Sequence, residues 1–244
     1  MNNNTEQFLI KPIGLGFHEV TGSSLVKVDT NGMKSYFSCS IDCTKAFSIG
    51  SIIDAGSTTF GVNALSLSLY SSVYKSRPDI NCLIHVQTPA VTAVSAMKLG
   101  LLGLSQQALI CGPATTHEIQ IDLATNQLSI DASLQQSTAK ILILPNHGIL
   151  ACGSTVEDAW HKTFHLILAC EAQLRAVSMG IDNLIISPDH SIKEVNAHSA
   201  SGGGANPTDV KWAVGELEWS TLMIVLDKAV SRIQLKSSNR IVCL

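Results

Sequence analysis

Hydrophobic positions fall into two rhythms along this chain, short unbroken runs and longer stretches with one apolar stripe. The runs Cys82-Leu83-Ile84 and Ile141-Leu142-Ile143-Leu144 carry no charge and end in turn residues. They predict two buried strands, the first continuing to Gln87. Leu65, Leu69, Ser72 and Val73 recur at helical spacing and predict a helix over 63–75, with Asn63 as its cap. A second helix is expected over 89–99, since proline suits a first helical turn. The longest helix is expected to start at Ser154, with Glu157 closing a capping box. It carries Val156, Trp160, Phe164, Ile167, Leu168, Leu174 and Val177 in step and ends near Gly180.

Shorter signals fill the gaps. Lys11-Pro12-Ile13-Gly14 reads as a turn, Leu25 to Val28 as a strand, and Asp29-Thr30-Asn31-Gly32 as a hairpin turn. Residues 108–112, 118–121 and 128–130 are strand candidates, 131–138 is expected to be helical, and a last amphipathic helix is expected over 215–233. The polar residues 1–6 are expected to be frayed, and the serine-rich, low-charge stretch 33–53 to be an irregular insertion. Residues 187–210 read as a flexible linker, because Gly202-Gly203-Gly204 follows no strand and opens no phosphate loop. Strands alternating with helices predict one layered α/β domain over 7–186, completed by a helical segment over 211–244.

Composition narrows the class. A chain of 244 residues builds one sizeable core, and 45% hydrophobic against 14% charged residues favours a packed body over disorder. A net charge of −3 without a basic cluster removes the electrostatic motive for nucleic acid or anionic lipid. No apolar run reaches the length of a transmembrane helix. The seven cysteines are odd in number and mostly sit in apolar runs, which predicts core thiols, a reducing compartment and a cytoplasmic protein. Cys39 and Cys43 lack a second pair at finger spacing. His161 and His165 stand four apart on a helix without a matching third ligand, and are expected to be a solvated or core-edge pair.

The chemistry gathers at the strand ends. Alternation puts His85 and Gln87 on one face, and the strand at Ile141 ends in Pro145-Asn146-His147-Gly148. Three nitrogen ligands there would make a catalytic zinc site with an open position, but a glutamine carbonyl is a weak, neutral ligand. The words Arg77-Pro78-Asp79, Thr88-Pro89-Ala90, Ala93-Val94-Ser95-Ala96-Met97-Lys98, Gly100-Leu101-Leu102, Asn146-His147-Gly148, Ala169-Cys170-Glu171, Lys211-Trp212 and Gly215-Glu216 carry more. Together they resemble the class II aldolase and adducin family, in its adducin head branch, over most of residues 7–226.

That resemblance implies a three-layer α/β/α domain around a central mixed, largely antiparallel β-sheet. It implies that His85 and His147 stand at two zinc-ligand positions, Gln87 at the third, and Ser66 where the aldolases keep a glutamate base. Neither Asp54 nor Glu118 is placed to replace that base. The family's phosphate loops map to Ile13-Gly14 and Ala64-Leu65, and the first would precede Gln7, where a family helix and strand are missing. The implied function is a pseudoenzyme head that self-associates or joins adducin-family subunits in the actin and spectrin membrane skeleton, at the cytoplasmic face of the plasma membrane. No metal or cofactor is then expected. The adducin neck and lysine-rich tail have no counterpart before Leu244. The alternative is a zinc-dependent class II aldolase or epimerase acting on a sugar phosphate.

Overall fold

The computed structural model describes residues 7–29, 52–122, 127–130, 132–199, 212–228 and 240–243. Its main strands are β1 (Gln7–Ile10), β2 (Val26–Asp29), β3 (Ile52–Asp54), β4 (Cys82–Val86), β5 (Ala114–Thr116), β8 (Ile141–Leu144), β9 (Gly148–Gly153) and β10 (Arg240–Cys243). They form one mixed sheet in the order β3-β2-β1-β10-β4-β9-β8-β5. β10 runs parallel to β1 and β4, and β5 runs parallel to β8; the remaining pairings are antiparallel. β6 (Ile119–Asp122) and β7 (Gln127–Ile130) make a separate antiparallel ribbon.

Side-chain alternation builds the layers. Leu83, Leu142, Leu144, Leu150 and Cys152 share a buried cluster with Tyr70, Val73 and Tyr74 of α1 (Ala64–Ser76). Their sequence neighbours Cys82, Ile84, Val86, Ile141, Ile143, Ile149 and Ala151 form the opposite cluster. It is closed by α2 (Pro89–Ser95), α3 (Gln106–Cys111) and α4 (Val156–Val177). Strands covered on both faces need continuous apolar runs, which is why β4 and β8 stood out in the sequence. Each large aliphatic side chain buried this way contributes about 1.5–3 kcal/mol. Cys82, Cys111, Cys152 and Cys170 are buried free thiols within these clusters.

The motif Arg77-Pro78-Asp79 has a structural use. Arg77 is buried and donates from Nε and Nη2 to both Asp79 carboxylate oxygens, at 2.8 and 2.9 Å, and from Nη1 to the Ala139 carbonyl at 3.1 Å. The fork ties the end of α1 to the approach to β8. Arg77, joined by Lys140, holds the Asp79 carboxyl well below the usual carboxylate range.

Several expectations change. Residues 108–112 are not a strand: 108–111 fall in α3, where Ser105 Oγ accepts from the Ala108 N–H at 3.3 Å, and Gly112 ends the helix at φ +77°. A short apolar run fits either element, and the cap decides. The cap of α4 is Thr155, not Ser154, because Thr155 Oγ1 accepts from Asp158 N–H; Asp158 Oδ2 accepts from the Ser154 N–H, one residue before the cap, so the expected box does not form. The helix after Pro89 stops at Ser95. The expected linker 187–210 contains α5 (Asp189–Ser199), fastened by Asn196 Nδ2 donating to the Ile110 carbonyl. The segment 211–244 holds α6 (Glu216–Lys228) and then the strand β10. Of the insertion 33–53, residues 52–53 belong to β3; the remainder, and the hairpin turn after Asp29, lie outside the described residues. No helix among the described residues is long and apolar enough to cross a membrane.

Candidate functional site

β4 and the β8–β9 hairpin bring the site together. Val86 pairs with Ile149, so the chain beyond β4 lies against the turn before Gly148. That turn runs through Pro145, Asn146 and His147, with Asn146 at φ 58°, a conformation asparagine tolerates. Gly148 has φ +125°, and a Cβ there would lie 2.5 Å from the Val86 carbonyl oxygen. Ser95, at the end of α2, pins the turn: its Oγ accepts from the Gly148 N–H at 3.2 Å. His147 is thereby laid over His85, ring centroids 5.0 Å apart and planes 28° apart.

His85 alternates with Leu83 and so points toward α1. The Tyr70 hydroxyl stands 3.3 Å from its Nδ1, and Ser66, one turn earlier on α1, lines the same pocket. His85 Nε2 is buried without a hydrogen-bond partner among the described residues. Burial, and then the neighbouring His147, pull the His85 pKa down to about 4. Burial lowers His147 as well and raises Tyr70 above the usual phenol range. Both rings are therefore mainly neutral at pH 7. Gln87 is exposed just past β4, and its Nε2 donates to the His147 carbonyl at 2.8 Å.

These groups open onto a pocket of about 760 Å³ that Ile13, Gly14, Leu65, Leu69 and Phe17 also line. Four residues singled out in the sequence, Ser66, His85, Gln87 and His147, thus meet in one place. Ile13 N–H is already spent on the Gly61 carbonyl at 3.0 Å. No Asp or Glu lines the pocket among the described residues; Asp54 and Glu118 are exposed elsewhere. Lys11 also lines it, with Nζ 5.2 Å from the centroid of the Phe17 ring. Sequence reasoning missed Tyr70, Lys11 and Ser95. Tyr70 was within reach, standing one turn from Ser66; the other two gave no local signal. His161 and His165 do form a pair at the core edge, rings 4.5 Å apart, and burial lowers both pKa values. No group of three His, Cys, Asp or Glu side chains able to hold a metal occurs among the described residues. Cys39, Cys43 and Gly202 to Gly204 lie outside them.

The family model described as class II aldolase and adducin N-terminal domain matches residues 1–174. The chain belongs to that family. Alpha-adducin of Mus musculus is 38% identical over 232 residues, covering 93% of this chain and 29% of its own length. Adducin-related protein 1 of Caenorhabditis elegans is 36% identical over 231 residues, again 93% of this chain and 29% of the relative. The chain thus spans less than a third of these relatives. Among solved structures, an aldolase II superfamily protein from Pseudomonas syringae is similar with a TM-score of 0.70 at 28% identity, covering 94% of this chain and 82% of that one. Membership in the class II aldolase and adducin family accounts for the layered mixed sheet.

Proposed function

We propose that this chain is a non-catalytic, adducin-head-like module that self-associates and serves the actin and spectrin membrane skeleton at the cytoplasmic face of the plasma membrane. The observation that carries the reading is the donor set at the end of β4. A catalytic zinc takes three nitrogen or anionic ligands and keeps one position open. Here two neutral imidazoles are joined by an amide whose NH2 is engaged with the His147 carbonyl. This set does not fit a catalytic zinc. At the position the resemblance gives to the base stands Ser66, in a pocket that no Asp or Glu lines among the described residues. Such a hydroxyl is no general base near pH 7.

Self-association is supported by apolar surface. The α6 side chains Leu217, Ile224 and Val225 are about half exposed, while Trp219 packs edge-on against Trp160 at 5.8 Å. Phe164 of α4 is exposed as well. Patches of this kind are normally covered, and a symmetric oligomer of the chain, or adducin-family subunits, would cover it. Contact with actin and spectrin follows from the resemblance alone.

Elemental analysis of purified protein is the direct test. Far less than one zinc per chain, with no cleavage of sugar phosphates above background, is expected; stoichiometric zinc lost on His147→Ala would overturn the reading. Gln87→His is expected to raise zinc affinity at least about tenfold, because a third imidazole replaces a weak donor. The alternative, a zinc-dependent aldolase or epimerase on a sugar phosphate, draws on the paired imidazoles and on Lys11. It would appear as zinc-dependent turnover that tracks Ser66 substitutions.

A further inference from the structure

The pocket beside His85 and His147 has a lopsided lining. Its walls are mostly apolar, with Ile13 and Phe17 from the first turn, Leu65 and Leu69 from α1, Val86 from β4 and Ile167 from α4. Lys11 is the one charged side chain on that lining among the described residues, and no carboxylate answers it there. Its Nζ lies 5.2 Å from the centroid of the Phe17 ring, which is 70% exposed, so the ammonium rests beside an aromatic face and stays open to an anion. Burial keeps the His147 ring neutral at pH 7, and Ser66 adds a hydroxyl, so the remaining polar partners carry no charge. At about 760 Å³ the cavity falls within the range of small-molecule sites, about 300–1,000 Å³.

Each class of ligand meets that lining differently. A metal ion or an amine would face Lys11 with no carboxylate to hold it. A phosphate ester brings about two charges to one lysine, and the turn amide of Ile13 is already spent on Gly61. A sugar needs polar partners along its whole length, which an apolar wall does not provide. A neutral apolar molecule suits the wall but strips water from the Lys11 ammonium and returns no partner. We propose that the pocket binds a free monocarboxylic acid with a compact apolar body, its carboxylate paired with Lys11 and its body against Leu65, Leu69 and Phe17. One cation then meets one anion, and apolar surface meets apolar surface. The proposal rests on the non-catalytic reading and names what the disused site holds: a ligand bound and released unchanged.

Titration calorimetry on the full chain at pH 7 is the test. The probes are phenylacetate and isovalerate, set against neutral phenethyl alcohol, acetate without an apolar body, and dihydroxyacetone phosphate. At least one of the two acids is expected to bind about tenfold or more tightly than phenethyl alcohol and acetate, because a hydrogen bond to a charged group outweighs a neutral one. Lys11→Met keeps the methylene stem and is expected to erase that preference, whereas Lys193→Met on α5 leaves it intact. No binding of either acid up to about 10 mM overturns the proposal, as does equal binding of acid and alcohol or a preference that survives Lys11→Met. If Lys11→Met folds poorly, Leu65→Glu decides: Leu65 is 37% exposed on α1, a carboxylate there sets a like charge on the wall and is expected to abolish acid binding, and retained binding overturns the site. Tightest binding of dihydroxyacetone phosphate, or its zinc-dependent turnover, sinks the non-catalytic reading as well. Zinc-free protein that ignores both acids sinks only the ligand.

Discussion

Acid acts on this protein first through imidazoles. His85 is neutral when folded because burial and His147 oppose its protonation, and His165 is pulled to about 4 mainly by burial. The unfolded chain binds these protons near pH 6.5, so the folded state binds fewer protons between there and about pH 4. Stability is therefore full above pH 6.5 and falls as pH drops through that window. For His85 the loss between pH 7 and pH 5 is expected to be on the order of 1–2 kcal/mol, read from urea melts at the two pH values. A histidine signal titrating near 6.5 in the folded protein, assigned to His85 by His85→Gln, would contradict it. The strand-end residues His85, Gln87 and His147 were legible in sequence because a period of two and a turn motif fix where they point. Tyr70 and Lys11 were not, because α1 and the first turn reach the pocket only through tertiary packing.

At the level of elements, the hairpin and the helix caps bear the sharpest tests. Gly148→Ala forces a Cβ against the Val86 carbonyl at a φ that L-residues rarely adopt, and is expected to cost about 3 kcal/mol in chemical unfolding. Thr155→Ala is expected to cost about 1 kcal/mol, and Ser154→Ala a few tenths, because the Thr155 side chain caps α4 while the Ser154 hydroxyl makes only a 3.4 Å contact with Asp158. Equal effects would return the cap to Ser154. Buried strands and the long helix were readable from periodicity. α3 was misread because four apolar residues carry no period, and β9, all six positions buried, went unseen because Gly148-Ile149-Leu150-Ala151-Cys152-Gly153 follows a motif that drew attention to its chemistry. α5 buries no side chain, so it left no apolar stripe to find.

For the whole molecule, the expected oligomer should resist salt. With 14% charged residues and with Leu217, Ile224, Val225 and Phe164 exposed, apolar burial is expected to govern association, and sedimentation in 1 M salt is expected to show no dissociation. Loss of the oligomer at that ionic strength would point to charge pairs instead. The layered architecture was legible in the alternation of strands and helices; the place of β10 was not, since four residues remote from their partners give no pairing signal. The thiols of Cys82, Cys111, Cys152 and Cys170 are all buried, and burial pushes the last three up to about 12, so a thiol reagent finds no thiolate until the surrounding structure opens. They are thus timers distributed through the molecule, in β4, α3, β9 and α4. The order in which they react would give the sequence of local openings, and Cys82, beside β10, would react ahead of Cys152 whenever the terminal strand lets go before the sheet does.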